Sequence, residues 1–307
     1  ELGNKILFTL DPESPGELAD VTVSIRSFAI DLKKSLVIWK LDGVEYARGF
    51  NLSAIDIITE ELGNPTKISV EIREAGGKTL KESLTVRPTD IVLIWMTDAH
   101  TPAFYQSKPE PGPGARVVVT ADPIVKKDGG VLVPPADLIY EWQRNFQTIG
   151  SQSGIGRQRF SFTKNGGEDI IEVAIKTKDG MMEGKKRVTI AAAAPTLSLY
   201  RVEPIAGLAW ARAIRPDDTL EGEEVTLKAE TFSLKRQADQ GLNYTWAVDG
   251  KATAGRAGNP DMLTFLADVL NLRQNLTVGV EAKNPANPAA VAKITRPLTI
   301  HSFLTNF

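Results

Sequence analysis

The chain has 307 residues, with 36 lysines and arginines against 38 aspartates and glutamates, a net charge of -2 and no cysteine. That balance lacks the basic footprint of a nucleic-acid binder, and the missing thiols exclude disulfides, thiolate metal sites and cysteine nucleophiles. With 42% hydrophobic and 24% charged residues it has apolar material for two or three cores at about 100 residues each, three being preferred, and no apolar run of about 18 residues that would cross a bilayer.

In chain order, Ile6-Leu7-Phe8-Thr9-Leu10 reads as an apolar opening strand. Pro15-Gly16-Glu17 then turns into Val21-Thr22-Val23, whose alternation is that of a half-buried strand. In Val37-Ile38-Trp39 the period of two places Val37 and Trp39 on one face. Asp42-Gly43 is a hairpin dipeptide, because glycine tolerates positive φ. Ile68, Val70 and Ile72 alternate in a further strand, and Leu84-Thr85-Val86 closes the unit.

The same succession recurs twice. Val92-Leu93-Ile94-Trp95 opens the second unit, Pro113-Gly114-Ala115 turns into Val117-Val118-Val119, and Tyr140-Glu141-Trp142 precedes Ile171, Val173 and Ile175 and the closing Val188-Thr189-Ile190. The hairpin position there is Asn145-Phe146, which departs from the Asp-Gly pattern. In the third unit Leu197-Ser198-Leu199-Tyr200, Val225-Thr226-Leu227, Tyr244-Thr245-Trp246, Asp249-Gly250, Leu276, Val278, Val280 and Leu298-Thr299-Ile300 repeat the order. Trp39 precedes Val70 by 31 residues, Trp142 precedes Val173 by 31 and Trp246 precedes Val278 by 32, a constancy that implies one repeated fold.

Short strands with frequent turn signals predict an all-β chain of three tandem immunoglobulin-like sandwiches in an extended rod, with bounds 1–88, 89–193 and 194–307 and an apolar extension at the C-terminal end. Trp39, Trp142 and Trp246, with Val70, Val173 and Val278, are the expected core anchors. Only Met262 to Leu272 reads as a helical turn or two. The links between units are short and carry Pro88 and Pro195, which limits hinge freedom.

The Pro-Gly turn, the Val-Thr-Val strand, the lone tryptophan followed by Asp-Gly and the late valine strand together resemble PKD-type and other bacterial immunoglobulin-like modules. Asp11-Pro12-Glu13-Ser14-Pro15-Gly16 and Pro109-Glu110-Pro111-Gly112-Pro113-Gly114 add to the likeness, which spans nearly the whole chain. The three-unit order, with Thr101-Pro102-Ala103-Phe104-Tyr105 early in the second unit, also resembles uncharacterised surface proteins from ultra-small bacteria of the candidate phyla radiation. The resemblance implies a PKD-like sandwich fold and no particular activity. The strands around the second turn and the longer openings of units two and three depart from the PKD pattern.

Catalytic chemistry is hard to assemble from these residues. His100 and His301 lie in different units, so neither a triad nor a multi-histidine metal site is expected. Gly150-Ser151-Gln152-Ser153-Gly154 places Gln152 where a hydrolase elbow needs serine. Asp11 with Glu13, and Asp217 and Asp218 with Glu221, stand in loops where calcium stiffens some sandwich rods, but they lack the spacing of a calcium loop. Solvated turn residues are the default reading, and no cofactor is expected.

Non-enzymatic roles therefore lead. Ile6 and Phe8 at one end, and Phe303, Leu304 and Phe307 at the other, are candidate subunit contacts for a self-assembling extracellular filament or lattice on a cell surface, or for contact with other surface proteins. Glu1 in place of an initial methionine fits a processed chain, and the absence of cysteine leans bacterial. The alternative is an adhesin or carbohydrate-binding module, with Phe104, Tyr105 and Trp210 stacking on glycan rings, although packing across a domain joint explains those three more economically.

Overall fold

The computed structural model describes residues 6–236, 241–266 and 273–302. Ordered structure among them is β-strand with short 3-10 turns and no α-helix. β1 (Ile6–Asp11), β2 (Asp20–Ser27), β3 (Ser35–Leu41), β4 (Val44–Phe50), β5 (Ala54–Ile58), β6 (Thr66–Glu74) and β7 (Thr79–Val86) hydrogen-bond as two sheets, β1-β2-β5 and β4-β3-β6-β7. The fourth strand pairs with the third, whereas in a constant-type immunoglobulin sandwich it lies in the opposite sheet.

The arrangement then repeats. β8 (Asp90–Thr97), β9 (Ala99–His100), β10 (Arg116–Ile124), β11 (Ile139–Arg144), β12 (Gln147–Thr148), β13 (Gly154–Ile155), β14 (Arg159–Thr163), β15 (Glu168–Lys176) and β16 (Glu183–Ala191) give sheets ordered β14-β10-β8 and β12-β11-β15-β16. The third set is β17 (Thr196–Glu203), β18 (Gly207–Leu208), β19 (Asp218–Glu221), β20 (Glu224–Phe232), β21 (Leu234–Lys235), β22 (Asn243–Val248), β23 (Lys251–Thr253), β24 (Met262–Leu266), β25 (Arg273–Asn284) and β26 (Asn287–His301). Its sheets are ordered β18-β17-β20-β24 and β19-β26-β25-β22-β23, and β19 runs parallel to β26. The chain is thus an all-β series of immunoglobulin-like sandwiches.

Each tryptophan occupies the same place. Trp39, Trp142 and Trp246 are buried on β3, β11 and β22, and each indole N–H donates to a main-chain carbonyl shortly before β5, β14 or β24 respectively: Leu52 at 3.0 Å, Arg157 at 2.8 Å and Pro260 at 2.8 Å. A buried N–H needs such a partner. Trp39 pairs across the sheet with Val70 and Trp142 with Val173, but Trp246 pairs with Val280. The anchor equivalent to Val70 and Val173 is therefore Val280; Val278 faces Val248, two residues on, and is also buried in that core.

The hairpin after each tryptophan is also the same. Asp42 and Gly43, Asn145 and Phe146, and Asp249 and Gly250 all have positive φ at both central positions. In each case the first residue's main-chain N–H donates to a carbonyl of β6, β15 or β25, at Lys67, Ile170 and Thr277, and its side-chain oxygen accepts the N–H of that same residue at 2.7 to 2.9 Å. The side-chain clamp makes Asn145-Phe146 equivalent to Asp-Gly, and the exposed ring of Phe146 lies under the Arg187 guanidinium. Asp249→Ala removes the clamp and leaves an L-residue without local compensation at positive φ; a loss of about 1–2 kcal/mol is expected in urea unfolding.

Met262–Leu266 is a strand rather than a helical turn, because β20 offers its backbone a ladder from Lys228↔Met262 to Glu224↔Leu266. Residues 267–272 lie outside the described ones. The chain divides into two compact units, Glu1–Ile94 with Val119–Phe160 and Asp169–Ile190, and Trp95–Val118 with Ser161–Glu168 and Ala191–Phe307. These units do not coincide with the three repeats. In the first, Ile6, Val23, Trp39, Ile57, Val70 and Ile72 belong to one core, and Trp142 stacks on Phe160 with ring centroids 5.5 Å apart. In the second, Leu199, Leu227, Trp246, Val280 and Ile300 belong to another.

Candidate functional site

The most developed constellation outside the cores is a strap, residues 98–114, lying on the outer face of the β18-β17-β20-β24 sheet. β20 is buried on both faces. Val225, Leu227 and Ala229 point into the core, while the outward Thr226 and Glu230 are 7% and 5% exposed because the strap and neighbouring side chains cover them. The strap is tied by its backbone: β9 pairs with β21, His100 opposite Leu234, and Ser233 N–H donates to the His100 carbonyl at 2.9 Å. Ala193 N–H donates to the Pro111 carbonyl at 3.0 Å, and Lys235 pairs with Asp98 at 2.9 Å.

The aromatic candidates belong to this docking. Phe104 meets Tyr200 edge-on at 5.2 Å and stacks against Trp210 at 6.3 Å, while Tyr105 meets Phe232 edge-on at 5.5 Å. Each such pair contributes about 0.5–1.5 kcal/mol beyond its area burial. Phe104 is therefore committed to packing. Trp210 stays 59% and Tyr105 43% exposed.

Charge is compensated beneath the strap. Glu230 lies 3.1 Å from Lys228, 3.5 Å from Arg236 and 3.9 Å from the His100 imidazole. Burial alone would push its carboxyl up, but His100, Lys228 and Arg236 together hold it below the ordinary range. A lowered folded value contributes stability above the unfolded range of glutamate and loses it as pH falls through the folded value. The stability gap between the wild type and Glu230→Gln should accordingly be widest above about pH 5 and narrow in acid. Melting curves from acid to neutral pH measure this; a gap independent of pH would contradict the assignment.

A second joint is built in the other unit. Gly129 N–H donates to the Gly63 carbonyl at 3.2 Å, Thr89 N–H to the Pro15 carbonyl at 3.1 Å and Lys185 N–H to the Ser14 hydroxyl at 2.8 Å. Arg87 grips both oxygens of Asp128 at 3.1 Å, and Lys185 pairs with Glu13 at 2.6 Å. Gly63 passes so close to Gly130 that a Cβ on it would sit 2.8 Å from that Cα.

Other candidates have structural employment. Ser153 accepts the Trp142 N–H and donates to the Ile149 carbonyl, both at 2.9 Å, so the serine-glycine loop braces a core strand. Burial pushes the Tyr140 phenol up to about 12, and its hydroxyl donates to the Pro135 carbonyl. Asp218 binds Arg212 and the Arg215 N–H. Of the expected subunit contacts, Ile6 is buried and Phe8 packs edge-on against Trp39 at 6.3 Å, which corrects their assignment: both side chains serve the core of their own repeat because β1 pairs with β2 along its whole length. Phe303, Leu304 and Phe307 lie outside the described residues.

The sequence reading missed the receptor for the strap: Tyr200, Glu230, Ser233 and Leu234, together with Gly112. The available signals were the turn-rich length of the strap and the single apolar residue at the centre of Ser233-Leu234-Lys235, too short to read as a strand.

No protein-family model matches the chain, and no curated protein matches it. Among solved structures, it is similar to the three N-terminal domains of the Highly Immunogenic Outer Capsid protein of bacteriophage RB49, at 12% identity and a TM-score of 0.27, covering 97% of this chain and 98% of that one. It is similar to fibronectin(III)-like modules of Clostridium thermocellum CbhA, at 13% identity and a TM-score of 0.26, covering 61% and 94%. A 1.5-MDa bacterial ice-binding adhesin gives 10% identity and a TM-score of 0.24, covering 97% and 98%. At such scores the fold assignment rests on the strand order of the chain itself.

Proposed function

We propose that the chain is a non-enzymatic extracellular structural protein, with domains at 1–88, 89–193 and 194–307, that serves as a subunit of a cell-surface filament or lattice. The PKD-type assignment is part of the same proposal. The observation that supports it is the construction of the joints: backbone pairing, closely approaching glycines and paired charges hold neighbouring repeats where a tether would leave them free. Such construction suits a part that maintains geometry. Subunit contacts would fall on apolar residues, for which we propose Phe28, 79% exposed, and, from the sequence alone, Phe303, Leu304 and Phe307.

Light scattering over a wide concentration range tests the reading. The expected mass rises well above 33.4 kDa and returns toward it when Phe303, Leu304 and Phe307 are all replaced by serine. A mass of 33.4 kDa at every concentration sinks it. The exposure of Trp210 and Tyr105 favours one second reading, a glycan-binding adhesin; selective retention on a glycan array, lost in Trp210→Ala, would establish that instead.

A further inference from the structure

The hairpin between β17 and β18 leads into a segment without charge, exposed at 204–206 and 210–211 and half-buried between. From Glu203 to Arg212 the intervening residues are Pro204-Ile205-Ala206-Gly207-Leu208-Ala209-Trp210-Ala211. Ile205 at the tip is 101% exposed, as open as in an extended chain, and Trp210 is 59% exposed. The tip is nevertheless firmly based: Val202 pairs with Leu208 and Glu203 with Gly207, and Trp210 is backed by Phe104, itself packed on Tyr200. An isolated exposed apolar residue needs no explanation. An uncharged eight-residue hairpin segment on a fixed base, with Ile205 and Trp210 both turned to water, does.

We infer that this hairpin tip inserts into the interfacial layer of a lipid bilayer, with Ile205 entering the acyl boundary and Trp210 lying at headgroup depth. Tryptophan favours that depth because its ring is apolar and its N–H polar. The arginines flanking the segment, Arg201 and Arg212, are each already paired, with Glu203 at 2.9 Å and with Asp218 at 2.5 Å. The paired base fits zwitterionic headgroups and makes attraction to anionic lipid a minor contribution. A bilayer also receives a convex tip without a preformed socket. The recesses of about 570, 560 and 400 Å³ are poor sockets for it, being lined in part by Arg26, Asp31 and Lys33, by Lys81 and Glu71, and by Lys178 and Asp137, whose charges an apolar plug would strip of water.

The test is titration of the full chain with phosphatidylcholine vesicles, read by tryptophan emission and co-sedimentation. Trp39, Trp142 and Trp246 are buried, and Trp95 lies under the Lys108 ammonium at 3.2 Å, so Trp210 is the reporter. Emission should shift to the blue, brominated acyl chains should quench it, and Trp210→Phe should abolish the signal while co-sedimentation persists. Ile205→Ser should weaken binding roughly tenfold, and Ile205→Ser with Trp210→Ser roughly a hundredfold. High salt should change the wild-type affinity by less than about twofold. Absence of binding at any lipid concentration overturns the inference, as does binding only to anionic vesicles that salt reverses. A blue shift that grows with protein concentration in the absence of lipid also overturns it, and would make a second copy the occupant.

Discussion

Replacing Gly112 by alanine is expected to detach the strap from the third repeat at a cost of about 3 kcal/mol, among the largest effects of a single methyl group in this chain. A Cβ on Gly112 would overlap the main-chain carbonyl oxygen of Ser233, and neither atom belongs to a flexible side chain that could move aside. Gly112 does not have positive φ, so backbone strain does not contribute and the effect is steric. The readout is local as well as global. The Ser233 and Ala193 amides, bonded to His100 and Pro111, should lose hydrogen-exchange protection, and protease should cut between residues 98 and 114. Retained protection at both amides would show that the strap tolerates the methyl group and that its close approach is incidental.

Truncating a core tryptophan should cost more. Trp142→Ala opens a cavity beside Phe160 and leaves the Arg157 carbonyl without its indole donor, so a loss of about 3–5 kcal/mol is expected. Trp142→Phe keeps most of the volume and forfeits the N–H bond, for about 1–3 kcal/mol. The comparable burial and hydrogen bonding of Trp39 and Trp246 predict the same order of effects in their own repeats. Denaturant unfolding of the paired variants measures the difference. A tryptophan whose alanine variant costs under about 1 kcal/mol would not be an anchor.

These two sites illustrate what the sequence makes legible. A tryptophan two residues after an apolar or aromatic residue, followed by a hairpin dipeptide, is a local pattern enforced by strand periodicity, so the strands of all three sandwiches can be placed from it. Register is weaker information. Leu276, Val278 and Val280 share one face, and alternation cannot say which of them lies opposite Trp246; the answer depends on where β22 meets β25. Asn145-Phe146 shows a second limit, since the side-chain clamp to Ile170 that stabilises its positive φ is a long-range contact.

Docking was the least legible part. Glu230 alternates with the core-facing Ala229 on β20, and its burial beside His100 of the strap, Lys228 and Arg236 depends on contacts that strand alternation does not encode. Met262 to Leu266 misled for the opposite reason. Its apolar spacing suits a helical turn, and the decisive fact, an unpaired edge on β20, lies more than thirty residues away. Ile6 and Phe8 looked spare because they stand near a chain end, yet they complete the first core.

Native-state hydrogen exchange on the intact chain weighs the structural account directly. If neighbouring repeats are locked, the Ser233, Thr89 and Lys185 amides that bond across the joints should open only at free energies close to those of core-strand amides such as Trp142. Exchange of those three at nearly unprotected rates, with the cores still closed, would mean tethered repeats and would contradict the claim that the joints are what this chain is built to provide.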